Sequence, residues 1–111
     1  MTGRASKTKG HNAEREIVKM AHALDIDAVR AWGSNGRSLG HPETVDVTLN
    51  ESPWQVKRRA KVATYIKPPA GTIGTLIRED RGEWLAVLPA RTLLELVART
   101  GIDLHATWTE Q

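Results

Sequence analysis

Apolar residues at helical spacing, Ala13, Ile17, Met20, Ala21 and Leu24, predict a first helix over residues 12–24. Asn12 would cap it by accepting from a backbone N–H at the helix start. Glu14 would then lie in the first turn, where the helix dipole favours a carboxylate. Residues 25–27 read as the exit turn, and residues 27–32 as a short strand with Ala28, Arg30 and Trp32 on one face. The period then changes to two. Val45, Val47 and Leu49 alternate with Asp46 and Thr48, and Trp54 and Val56 alternate with Gln55 and Lys57, so residues 44–59 predict two strands joined by a tight turn. Between these patterns, residues 33–42 are rich in glycine and small polar side chains and predict a mobile surface connection.

Further along, Val62, Ala63 and Ile66 fit one helical turn that Pro68 and Pro69 stop. Residues 72–79 and 83–88 predict an antiparallel pair around Asp80, Arg81 and Gly82. Pro89 suits the first position of a second helix, whose apolar stripe is Leu93, Leu94, Val97 and Ala98 and whose end is Gly101. A last short strand is predicted over 103–108. The expected fold is α/β, a single-domain mixed sheet of about five strands flanked by helices. Residues 1–10 are expected to be a flexible basic arm, and residues 11–111 one domain.

The 111 residues suit one domain with one modest core, and 40% hydrophobic with 26% charged residues is a globular composition. No apolar run approaches a membrane span, and the polar start has no segment of secretory type, so a cytoplasmic protein with no membrane role is expected. With no cysteine there are neither disulfides nor thiolate ligands. The net charge of +3 says less than its distribution. Arg4, Lys7 and Lys9 crowd the start, and Lys57, Arg58, Arg59, Lys61 and Lys67 follow the central strands with no acid among them. Such runs are either solvated surface or a footprint for nucleic acid.

Alternation puts Asp46, Gln55 and Lys57 on one face, where they can converge. Two readings stand side by side. Asp46 and Lys57 are a cross-strand ion pair, or they belong to a metal site. Mg²⁺ takes oxygen ligands and is held by one or two carboxylates together with substrate phosphate. Asp46 and Glu14 can supply the carboxylates, Gln55 a neutral oxygen, and Lys57 an ammonium that orients water or offsets developing charge. His11, His22, His41 and His105 lack metal-ligand spacing, and no Gly-x-Ser-x-Gly elbow supports serine hydrolysis. Arg37, Ser34 and Ser38 would suit a nucleic-acid backbone.

The segment from Lys9 through His11, Asn12, Glu14, Arg15 and Glu16 to Val18, then Val29, Arg30 and Ala31 with Ser34 soon after, then Asp46, then Gln55, Val56 and Lys57, resembles the archaeal-type Holliday junction resolvases of the PD-(D/E)XK nuclease superfamily. The resemblance implies a restriction-endonuclease-like core and a homodimer with two active sites. It also implies cleavage of two strands at a four-way DNA junction with Mg²⁺, for which Mn²⁺ substitutes. It implies that Glu14, Asp46 and Gln55 hold the metal, that Lys57 is the catalytic lysine and Ser34 a loop serine needed for cleavage. Lys7, Lys9, Arg15, Arg30, Arg37, Arg58, Arg59 and Lys61 would face DNA. The chain departs from the family at Val45, where proline is usual, at Gln55, where Glu or Asp is usual, and at the short segment 60–70. Two alternatives remain open: a nuclease of this fold acting on other DNA structures, and a non-catalytic nucleic-acid-binding protein, for which Gln55 is the motive.

Overall fold

The computed structural model describes residues 3–101, the side chains of residues 3–8 and of Ser34 excepted. The strand expected over 103–108 lies outside the described residues. The chain groups into two compact units, Met1–Arg58 with Leu94–Gln111, and Arg59–Leu93.

The first unit opens with α1, Gly3–Ala23. It begins well before Asn12, which corrects both the flexible arm and the cap. Arg4, Ala5, Lys7 and Lys9 are good helix formers, and one interior glycine, Gly10, costs only about 1 kcal/mol relative to alanine. Asn12 is therefore an interior residue whose Oδ1 accepts from Arg15 Nη1 at 3.3 Å. Ala13, Glu14 and Ala21 are its buried positions. At the C-terminal end Ile26 N–H donates to Ala21 O and Asp25 N–H to His22 O, both at 3.0 Å, with Asp25 left-handed at φ 59°. That pair of bonds is a Schellman ending, and it seats the buried Ile26 under the helix.

Three short strands follow, β1 (Ala28–Arg30), β2 (Val47–Leu49) and β3 (Ser52–Trp54), antiparallel in the order β1-β2-β3. Asn50 and Glu51 make the two-residue turn of β2 and β3 with φ of 47° and 71°, the conformation that matches strand twist in tight hairpins. In register, Ala28 faces Leu49 and Arg30 faces Val47, which in turn faces Trp54. The face carrying Ala28, Val47 and Leu49 is buried, and α1 packs across β1 and β2. Ser52 closes the hairpin internally, accepting from Trp54 Nε1–H at 2.8 Å and donating to Leu49 O at 2.6 Å.

In the second unit, β4 (Thr75–Ile77) and β5 (Leu85–Val87) form their own two-stranded antiparallel sheet, with Arg81 at φ 64° in its turn. Gly74 is required at its base, since a Cβ there would meet the backbone oxygen of Val87 at 2.6 Å. Among the described residues the fold is thus a small mixed α/β arrangement with two α-helices and five antiparallel strands in two sheets. The single mixed sheet expected from the sequence is not formed among the described residues. Residues 55–63 run without ladder bonds, and Pro68 and Pro69 carry no N–H to donate. The helical turn expected before the prolines is a 3-10 turn, Thr64–Ile66.

The last element, α2 (Ala90–Thr100), buries Leu94 and Val97 and ends as expected at Gly101, left-handed at φ 63°, whose N–H donates to Val97 O at 3.0 Å. No helix among the described residues is long and apolar enough to cross a membrane.

Candidate active site

Asp46 is held by the backbone on both sides. Its N–H donates to Trp54 O at 2.9 Å, and Ala31 N–H donates to its carbonyl at 2.8 Å. It is therefore a fixed point between the ends of β1 and β3. Its half-buried side chain turns to the third strand, where Oδ2 accepts from Val56 N–H at 2.7 Å. The ladder ends at Trp54, so the carboxylate takes the place of a strand carbonyl for that N–H, in a charge-assisted bond. Asp46 itself thus faces Trp54, and Gln55 is the residue that follows where the ladder ends. Gln55 and Lys57 are both exposed.

Arg30 pairs with Glu14 and Arg37 with Glu43. Asp46 and Lys57 do not pair. The bland reading of that acid and base, a cross-strand salt bridge, is thereby removed, and Lys57 extends into water two residues beyond Gln55.

Glu14 is engaged differently. It is buried at 3% exposure, and its Oε1 accepts from Arg30 Nε at 3.4 Å. Arg30 shares its sheet face with Ala28, and its Nε meets Glu14 on α1 while about a quarter of its side chain stays in water. Glu14 is not a first-turn residue, since the first turn of α1 holds no acid. The signal was present: Arg30 alternates with apolar Ala28, and an arginine on a packed face needs a carboxylate.

The loop after β1 is built and held, contrary to the mobile connection expected. It makes two 3-10 turns, Trp32–Ser34 and Gly36–Leu39. Asn35 Oδ1 accepts from Arg37 N–H at 3.0 Å, and Ser38 Oγ accepts from Trp32 N–H at 2.9 Å. Gly36 is buried where a Cβ would meet Val45 Cβ at 2.6 Å, so the loop lies directly on the residue before Asp46. This brings the backbone of Ser34 to the same end of the sheet as Asp46; the Ser34 side chain lies outside the described residues.

The basic residues divide. Arg15, Arg37, Arg58, Arg59 and Lys61 are exposed, Lys9 is half-buried, and the side chain of Lys7 lies outside the described residues. Arg37 lies 3.7 Å from exposed Glu43, a pair worth little in water.

Among the described residues no three His, Asp or Glu side chains gather as a metal cage. Asp46 suits a hard ion that keeps its waters and borrows phosphate oxygens, and the amide of Gln55, exposed just past β3, offers a neutral oxygen. Glu14 has Oε1 engaged by Arg30 Nε, and its place in a metal site is decided by experiment. No protein-family model, curated protein or solved structure matches the chain significantly.

Proposed function

We propose that the chain is a Mg²⁺-dependent, structure-selective DNA endonuclease of the archaeal-type Holliday junction resolvase kind, built on a restriction-endonuclease-like core and acting as a homodimer. The observation that carries this reading is Asp46, held by backbone bonds to Ala31 and Trp54 with Oδ2 accepting from Val56 N–H, and followed just past β3 by exposed Gln55 and Lys57. When bound, Mg²⁺ would supply Lewis acidity at the scissile phosphate, held by Asp46 and Gln55. Asp46 keeps its position because Val56 N–H holds one oxygen, leaving the other to accept a ligand. Lys57 orients the attacking water and offsets charge gathering on the phosphoryl oxygens as the phosphorus–oxygen bond to the leaving sugar breaks. Ser34 remains a proposed member of the site.

Cleavage of a synthetic four-way junction tests this directly. Asp46→Asn and Lys57→Ala are expected to abolish cutting in Mg²⁺ while junction affinity stays within about threefold, since each removes at most one of the many phosphate contacts that set affinity. Full cutting by both variants would refute the site. Flap, nicked and plain duplex substrates at equal salt separate a resolvase from a nuclease with other targets.

A second reading is favoured by the neutral Gln55 and by Glu14 being held on Arg30: a nucleic-acid-binding protein without catalysis. Absence of Mg²⁺ and Mn²⁺ binding with and without DNA, together with cleavage appearing only in Gln55→Glu, would establish it instead.

A further inference from the structure

The net positive charge of this chain belongs to its second unit. Within Arg59–Leu93 six Lys and Arg stand against three acids, whereas the remainder balances ten against ten. The three acids, Glu79, Asp80 and Glu83, all flank the turn between β4 and β5. The segment that opens the unit has none, and no acid occurs anywhere between Glu51 and Glu79. Arg59, Lys61 and Lys67 are exposed, and residues 59–63 run without helix or ladder bonds. On the 3-10 turn that follows, Tyr65 leaves 71% of its surface in water.

Tyrosine contributes most when its ring is covered, so a ring this open within a run of cations is placed for something from outside. Cations on extended backbone follow phosphates, and an exposed ring stacks on a base whatever its identity. Stacking requires an open base face. A closed duplex offers one only at its ends, while a branched or unwound substrate offers one wherever pairing is interrupted.

We propose that residues 59–67 form a strap for unpaired nucleotides, in which Tyr65 stacks on a base while Arg59, Lys61 and Lys67 hold the flanking phosphates. The strap rests on the reading of the chain as a nucleic-acid protein and adds what it recognises. It gives a structure-selective enzyme a means of preferring interrupted pairing that is separate from the cleavage chemistry at Asp46.

The test is fluorescence anisotropy of the full chain with labelled oligothymidylate and with a blunt duplex of equal length, in EDTA so that nothing is cut. Tyr65→Ala is expected to weaken oligothymidylate binding by about 5- to 100-fold, the loss for one base-aromatic stack, and duplex binding by less than about twofold. Tyr65→Phe should bind as the wild type does. Replacing Arg59, Lys61 and Lys67 together by alanine should flatten the salt dependence on the single strand by about two units of log–log slope. Undetectable binding to oligothymidylate, equal losses on both DNAs, or a changed sedimentation coefficient with unchanged DNA affinity would each overturn the strap, the last by making it a protein contact. Because no step needs cleavage, the two proposals fail separately. Tyr65-dependent single-strand binding by a chain that never cuts a junction removes the nuclease and keeps the strap, and junction cutting with Tyr65-independent binding does the reverse.

Discussion

Arg30 shows how a residue type can suggest one role and its strand position another. As one of several arginines it belonged with the DNA-facing set; as the neighbour of Ala28 on the packed face of β1 it needed a buried acid, and Glu14 on α1 is that acid. Removing Arg30 leaves a desolvated carboxylate without this donor, and a quarter of the arginine is already in water, so the cost falls below that of a fully buried pair. Arg30→Ala is expected to destabilise the protein by about 2 kcal/mol in urea denaturation, and adding Glu14→Gln to recover at least half of that. The single variant Glu14→Gln then has a second readout. If Glu14 only holds Arg30, junction cutting by the folded variant stays within about threefold of wild type. A loss of a hundredfold or more without loss of stability would return Glu14 to the metal site. By contrast Asp46 stands out from alternation as a polar residue between Val45 and Val47, and its backbone bonds to Ala31 and Trp54 fix it at the strand ends.

Elements with a strong period were read correctly in kind and less well in extent. The β2–β3 hairpin, the β4–β5 hairpin and α2 with its Gly101 ending follow from alternation, turn residues and helical spacing. The start of α1 was missed because its first residues have no apolar period and declare themselves only through helix propensity. The loop 33–42 was misread as mobile because its order comes from Asn35 and Ser38 bonds and from the close approach of Gly36 to Val45, none of which has a period. The β2–β3 turn contains a further local conflict. Glu51 holds φ 71°, a left-handed conformation that costs a non-glycine residue about 1 kcal/mol. Glu51→Gly is therefore expected to raise stability by about 0.5–1 kcal/mol, seen as a higher urea midpoint at unchanged slope. A lower midpoint would mean that the Glu51 side chain does something the turn geometry does not reveal.

For the whole molecule, the order of the predicted elements led to one mixed sheet, and the described strands instead form two. The reason is the basic, proline-ended stretch between β3 and β4, which offers few backbone bonds to join the sheets and whose charges remain in water. What the sequence could not carry at all is the number of chains that act together. A four-way junction has a two-fold axis, and an isologous dimer would present one Asp46 site to each of two strands. Subunit mixing decides this. On a supercoiled plasmid that extrudes a cruciform, two cuts within one complex linearise the circle and a single cut leaves it nicked. With excess Asp46→Asn chain, most dimers containing a wild-type chain carry one working site, so the products are expected to shift from linear to nicked circles while total cutting falls. If each chain cuts alone, dilution with the variant slows the reaction and leaves the early ratio of linear to nicked product unchanged, and the homodimeric resolvase reading is then wrong even where the Asp46 chemistry stands.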